Sequence, residues 1–303
     1  MDTLRTGIIG VGDMGMAMAK AIVRELPLTA FDLNEKALDE IRALGANTVT
    51  SPREVGAASD AVITMVKNIE QTEEVLFGES GAVQALTPGS TVIISSSIGP
   101  DYPREVYARL KPQGINVIDC AISDPTGPMH ARIGELTLMI GGDEAAVEKC
   151  RPVFDAMGKQ ENIFHLGGIG TGQLHKLINN LATHNLGVLN REIMNLGLAA
   201  GLDLEKMIDV MTVSTGGSWI LWYMGAMLRA RREAAKNGET PTKASSDQPQ
   251  SAEQQKRPVA LEKRLVMELA RRLNVPTPIG DFIDDKVDPV AYTYLAARLA
   301  RND

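Results

Sequence analysis

Gly10, Gly12 and Gly15 restrict what this chain can fold into more than any other residues do. They follow the apolar run Gly7-Ile8-Ile9 and lead into a helix-compatible stretch from Met16 to Glu25. A second apolar run, Pro27 to Phe31, then ends in Asp32. Strand, glycine turn, helix, second strand and terminal acid, in that order, are the setting of a dinucleotide-binding turn. Gly10 permits the tight turn, Gly12 lets the backbone approach a pyrophosphate, and Gly15 lets the helix pack closely on the strand. Asp13, Met14 and Gly15 fall in the first turn of that helix, where free N–H groups and the helix dipole favour an anion.

Asp32 bears on which dinucleotide binds. A carboxylate at the end of the second strand accepts hydrogen bonds from both ribose hydroxyls and repels a 2′-phosphate. Leu33 and Asn34 follow it and supply no arginine to hold such a phosphate, so NAD is expected in preference to NADP.

A chain of 303 residues has room for about two domains, each large enough to bury a core. With 44% apolar and 23% charged residues it has the composition of an ordinary globular protein. The net charge of −7 and the lack of a basic aromatic face argue against nucleic acid as a main partner. The opening residues, Met1 to Arg5, have neither a long apolar core nor a cleavage site, and Trp219 to Leu228 is too short to span a bilayer. Neither a secretory signal nor a membrane partner is therefore expected. Cys120 and Cys150, without a CxxC, are read as reduced, buried thiols of a cytoplasmic protein. His130, His165, His175 and His184 have no metal-ligand spacing with acids or cysteines, so no metal site is expected.

Short β-rich runs alternate with helical ones through the first half. Strands are expected at Thr6–Ile9, Leu28–Phe31, Ala61–Met65, Thr91–Ser95, Asn116–Asp119 and Leu136–Ile140. Helices are expected at Gly15–Glu25, Glu35–Leu44, Glu70–Leu76, Tyr102–Lys111 and Glu144–Met157, the last capped by Asp143. This alternation predicts an α/β Rossmann-type, doubly wound, mostly parallel sheet over residues 1–167. From Gln173 to Ala200 there is no proline and apolar residues recur at helical spacing, with Leu174, Leu177, Ile178 and Leu181 forming one stripe. A long interdomain helix is therefore expected to lead into an all-helical domain over 168–303, with further helices at Leu204–Met211 and Leu261–Leu273. Asn237 to Pro258 contains no large apolar residue and is expected to be a flexible loop.

A second constellation runs from Gly167 to Asn180. Several glycines bring the chain close to something before a helix begins. Lys176 and Asn180 are four apart and share a helix face, with Gln173 one turn before and His184 one turn after. Such a polar stripe is either a solvated face or the wall of a cleft, and its residues alone leave both readings open.

These segments together resemble the β-hydroxyacid dehydrogenase family. Its GxGxMGxxMA opening matches Gly10, Gly12, Met14, Gly15, Met18 and Ala19. Its serine–threonine turn is similar to Ser96-Ser97-Ile98-Gly99-Pro100, and its DAPVSGG strand to Asp119-Cys120-Ala121-Ile122-Ser123. Its GxGxxxKxxNN motif matches Gly170 to Asn180 in full, and its SSGxSW pattern resembles Ser214 to Trp219. The resemblance covers roughly residues 6 to 280. It implies that Lys176 is the catalytic acid and base, that Ser123 binds a substrate carboxylate, and that Asn180 helps place the substrate; Trp219 is read either as a substrate contact at the cleft mouth or as a core residue. It also places Met65, Val66, Ser96 and Ser97 along the cofactor. The implied activity is hydride transfer between NAD and a 3-hydroxyacid-like alcohol, or the matching semialdehyde or ketone, in a homodimer or homotetramer. An imine reductase-type enzyme on the same fold and a catalytically inactive NAD-binding scaffold are the alternatives.

Three departures from the family pattern stand out. The SGG turn here reads Ser123-Asp124-Pro125. Pro125 has no N–H, and Asp124 would repel an anion unless it points to solvent. A substrate carrying an amine or a longer polar tail is one way to reconcile Asp124 with that place. The MLP after the third strand reads Met65-Val66-Lys67, and the KDL stretch reads Leu261-Glu262-Lys263.

Overall fold

Four apolar tetrads, Thr6–Ile9 (β1), Leu28–Phe31 (β2), Ala61–Thr64 (β4) and Thr91–Ile94 (β5), form the centre of the protein in a computed structural model that describes residues 3–124, 134–237 and 258–286. With Asn47–Thr48 (β3), Asn116–Ser123 (β6), Leu136–Gly142 (β7) and Gly158–His165 (β8) they make an eight-stranded sheet in the order β3-β2-β1-β4-β5-β6-β7-β8. Strands β1 to β6 run parallel, β7 lies antiparallel to β6, and β8 is parallel to β7. The strand order reverses between β1 and β4, the kind of switch point at which open α/β sheets bind ligands.

Strands β1, β4 and β5 are buried along their whole length because helices cover both faces. Ile8, Ile63, Ile93 and Ile118 point to one face, where they meet α1 (Asp13–Ile22), α2 (Glu35–Ala43), α6 (Glu144–Lys149) and α7 (Arg151–Met157). Ile9 and Val62 face the other way, against Val55 of α3 (Pro52–Ala58). On that same side Val92, Ile94 and Val117 pack on Leu76 of α4 (Ile69–Phe77) and on Tyr102, Val106 and Leu110 of α5 (Asp101–Leu110). Each fully buried isoleucine contributes about 2 kcal/mol. Met18 is enclosed and Met14 and Met16 pack against the same core, so this methionine series is packing.

Several elements differ from the expected ones for identifiable reasons. The helix expected over Glu144–Met157 is broken at Cys150, because Pro152 lacks an N–H and constrains the residue before it. Asp143 stands at the N-cap of α6, but its carboxylate accepts a hydrogen bond from the Tyr107 hydroxyl at 2.9 Å and does not cap the helix. Strand β8 was not expected, since Lys159, Gln160 and Glu161 are exposed on a sheet edge and lack an apolar alternation. Helix α3 announces itself only through a short capping arrangement. The Ser51 hydroxyl accepts from Glu54 N–H, and the Glu54 carboxylate accepts from Thr50 N–H at 2.7 Å.

The chain divides into two compact units, one running to Leu177 and the other starting at Ile178. The long helix α8 (Thr171–Ala199) begins in the first and continues in the second. The second unit adds α9 (Leu204–Thr212), α10 (Trp219–Lys236), α11 (Pro258–Arg272) and α12 (Pro278–Lys286), and has no strand among its described residues. Met194, Leu204, Ile208, Leu221 and Leu228 form its core. The expected apolar stripe on α8 holds in part: Leu177 is buried and Leu174 and Leu181 are half-buried, but Ile178 is 55% exposed. The segment expected to be a loop, apart from Asn237 and Pro258 at its ends, lies outside the described residues, as do Pro125 and His130.

Candidate active site at the carboxyl edge of the sheet

Phe31, Ile9, Thr64, Ile94 and Asp119 lie side by side in register across β2, β1, β4, β5 and β6. Most of the residues singled out in the first half of the sequence follow directly beyond this row, so the sheet itself brings Gly10, Asp32, Met65 and Ser96 to one edge. The backbone continues the ladder there, with Gly10 N–H donating to Phe31 O at 2.9 Å and Met65 N–H to Ile9 O at 2.8 Å.

The glycine turn is shaped to receive a phosphate chain. Gly10 has a φ of +95°, and a Cβ on it would lie 2.3 Å from the Met65 carbonyl oxygen. A Cβ on Gly15 would fall 2.0 Å from Gly10 O, so helix α1 meets the turn at backbone distance. A Cβ on Gly12 would meet nothing within 4 Å, so the space in front of this residue is open. Gly12 is the N-cap of α1, and no side chain caps the helix. The N–H groups of the first turn, over Asp13 and Met14, are therefore not occupied by a capping side chain.

Asp32 is fixed before any ligand arrives. One carboxylate oxygen accepts from Val11 N–H at 2.7 Å and the other from Asn34 N–H at 2.8 Å. A carboxylate has lone pairs to spare after two such bonds, and these remain for ribose hydroxyls. An open, uncapped glycine turn beside an anchored acid fits a dinucleotide.

The serine turn after β5 is tied to its neighbours. Ser96 is buried, and its hydroxyl oxygen accepts from Val66 N–H at 2.9 Å. Ser97 beside it is half-buried, as are Met65 and Val66. At the far end of β6, half-buried Ser123 pairs with Thr137 of β7, and Asp124 follows directly.

Gln173 provides a link that the sequence did not disclose. On the sequence it is a member of a polar stripe, yet in the fold it is fully buried. Its amide nitrogen donates to Ser96 O at 2.8 Å, and its amide oxygen accepts from Ile98 N–H at 3.0 Å and Gly99 N–H at 3.1 Å. One turn further along α8 stands Lys176, half-buried, and one turn beyond that Asn180, which is 8% exposed. The stripe is therefore an inward face and not a solvated one.

Asp119, quoted above only as the start of a strand motif, is the second residue whose role the sequence did not disclose. Its carboxylate accepts from the backbone N–H groups of Gly170 and Gln173, the latter at 2.7 Å. Burial pushes its carboxyl up to about 6, while these backbone donors act in the opposite direction. A charged residue inside the buried run Val117-Ile118-Asp119-Cys120-Ala121 was the available signal.

In the second unit, Trp219 stacks on Tyr223 with ring centroids 5.2 Å apart and lies 6.4 Å from the Trp222 ring. Lys263 of α11 lies near His184 of α8, whose imidazole is held below its ordinary pKa first by burial and then by that ammonium. Cys120 and Cys150 are buried free thiols, and burial raises the pKa of both. A cavity of about 500 Å3 lined by Ala21, Arg24, Gly134 and Asp155, among others, contains none of the candidate site residues.

Known proteins resemble this chain over most of its length. A family model described as the NAD binding domain of 6-phosphogluconate dehydrogenase matches residues 5–167. A second, described as NAD-binding of NADP-dependent 3-hydroxyisobutyrate dehydrogenase, matches residues 170–238. An NAD-dependent L-serine dehydrogenase of Pseudomonas aeruginosa is 36% identical over 214 residues, covering 70% of each chain. A Salmonella typhimurium 3-hydroxyisobutyrate dehydrogenase superposes with a TM-score of 0.74 at 30% identity, over 92% of this chain and 90% of that one. A Mycobacterium tuberculosis 3-hydroxyisobutyrate dehydrogenase with L-serine gives a TM-score of 0.75 at 25% identity, over 97% and 99% of the two chains.

Proposed function

Because the chain belongs to the β-hydroxyacid dehydrogenase family, we propose that it oxidises a small 3-hydroxyacid with NAD, or reduces the matching semialdehyde or ketone, with Lys176 as acid and base. It is an oxidoreductase of CH–OH groups and binds a pyridine nucleotide. The observation that carries the finer reading is Gln173: by bonding to Ser96, Ile98 and Gly99 it ties the lysine-bearing turn of α8 to the edge where the glycine turn opens.

When bound, the nucleotide supplies the hydride acceptor, or in reverse the donor. What this chain contributes is control of the proton. Lys176 Nζ hydrogen-bonds the substrate hydroxyl oxygen, takes its proton as the carbon–hydrogen bond is oxidised, and returns a proton to the carbonyl oxygen in the reverse direction. The cation also stabilises the alkoxide that develops in between. In this reading Ser123 binds the carboxylate, and Asn180 and Trp219 contact the substrate. Asp32 sets the preference for NAD, since its anchored charge opposes a 2′-phosphate. Asp124 would attract an ammonium group and repel a second carboxylate, which favours a 3-hydroxyacid with a 2-amino group, as in L-serine.

Assay of a panel of 3-hydroxyacids, hydroxy amino acids and neutral diols with NAD and NADP, beside Lys176→Ala, tests the proposal. Lys176→Ala is expected to lower kcat by about 10²–10⁴-fold. An active parent whose turnover survives in the variant would overturn the assignment of Lys176. Asp124→Asn is expected to lower kcat/KM for L-serine more than for the acid lacking the amine.

A further inference from the structure

We infer that Asp119 and Gln173 form a buried clamp that positions Lys176, so that the pair controls turnover without touching the substrate. The inference rests on the assignment of Lys176 above and adds residues to which that assignment gives no role.

The clamp has two jaws. Asp119 projects from β6 at the last row of the parallel register, where it pairs with Ile94 of β5 and Gly141 of β7. Its two carboxylate oxygens each accept from the chain at the start of α8, one from Gly170 N–H and the other from Gln173 N–H. Gln173 then turns its side chain the other way, into the serine turn after β5, where its amide uses both ends. A single residue is thus held through its backbone by one strand and through its side chain by the loop of the next. Both residues are fully buried.

The surroundings are cut to admit this carboxylate. A Cβ on Gly141 would lie 2.5 Å from one Asp119 oxygen, and a Cβ on Gly172 would lie 2.8 Å from the other and 2.2 Å from the Met139 carbonyl oxygen. Gly170 takes a φ of +91° to enter the helix at this point. An uncompensated buried carboxylate is costly, and here its partners are backbone N–H groups at the start of a 29-residue helix, whose dipole favours an anion. A capping serine or asparagine would satisfy such N–H groups at far lower cost. What the strand-borne acid adds is a fixed point in the sheet. Lys176 lies three residues after Gln173, on the next turn, so a tilt at the clamp is carried directly to Nζ. Misplacement of a reacting group by about 1 Å costs on the order of a hundredfold in rate.

The test compares Asp119→Asn, Gln173→Glu and Lys176→Ala in the full-length protein, with turnover expressed per site that binds reduced nucleotide by fluorescence titration. Asn keeps the shape of Asp119 but turns an NH2 group toward one N–H donor. Glu at 173 keeps an acceptor for Ile98 and Gly99 but faces the Ser96 carbonyl with a second oxygen. Both variants are expected to bind reduced nucleotide like the parent and to lose about tenfold or more in kcat, with KM changed by a smaller factor. The acid limb of the kcat profile is expected to change shape in Asp119→Asn only. Parental kcat per binding site in both variants would overturn the clamp. So would loss of nucleotide binding in both, which would assign these residues to the fold and not to the lysine. If Lys176→Ala retains turnover, the proposed function fails first. If Lys176→Ala is inactive while both clamp variants turn over normally, the clamp alone fails.

Discussion

Asp32 stands just beyond the end of β2 and Asp119 in the last parallel row of β6, with three strands between them, and the two have opposite relations to water. Asp32 is half-buried and anchored by two backbone donors, so its charge is a fixed element of the cofactor edge. Replacing it with alanine is expected to raise the KM for NAD by about tenfold and to narrow the preference over NADP, measured by initial rates with both. Asp119 is enclosed, and burial raises its carboxyl from 3.8 to about 6. Between those values the folded chain holds a proton that the unfolded chain has released. The contribution of this group to stability is therefore complete below pH 3.8 and is lost as the pH rises through about 6. Asp119→Asn has no proton to lose there. Its stability relative to the parent should improve by roughly 1–3 kcal/mol between pH 4 and pH 7, read from urea unfolding at each pH. The place of Asp32 beside the glycine turn was legible because its spacing from the glycines is local. That of Asp119 was not, since its partners lie more than fifty positions along the chain.

Helix α1 shows how an element divides its glycines between fold and ligand. Gly15 has no room for a side chain: the added methyl of Gly15→Ala would press on Gly10 O and push the helix off the turn. A loss of about 1–3 kcal/mol in unfolding free energy is expected. Gly12 has open space before it, so Gly12→Ala meets no clash and is expected to cost only about 1 kcal/mol, the ordinary penalty of alanine in place of glycine at an N-cap. The same variant should weaken nucleotide binding by tenfold or more in a fluorescence titration, because the methyl stands where the pyrophosphate must approach. Equal nucleotide affinity in parent and Gly12→Ala would contradict this placement of the cofactor. Elements with a strong period and clear ends were legible: β1, β2 and α8 lie within a residue or two of expectation. The two-residue β3 and the polar edge strand β8 carry no such pattern, and their pairing partners define them.

On the scale of the molecule, helix α8 leaves Ile178, Leu186, Leu189 and Leu196 at least one-third exposed, and their spacing keeps them on one side of the helix. We propose that a second copy of the chain covers them, in a homodimer or homotetramer. Light scattering at micromolar concentration should give two or four chains per particle, and a single-chain mass would overturn this. By itself the sequence determined the dinucleotide turn, its acid, the alternation that builds a doubly wound sheet, and the helical character of the second half, because these follow from short-range spacing and local propensity. Only the tertiary structure decided that Gln173 and Asn180 face inward, that Ile178 faces out, and that Asp119 holds the start of α8. Burial and long-range hydrogen bonding depend on which strand lies beside which, and the register that aligns Ile94 with Asp119 exists only once the sheet has formed.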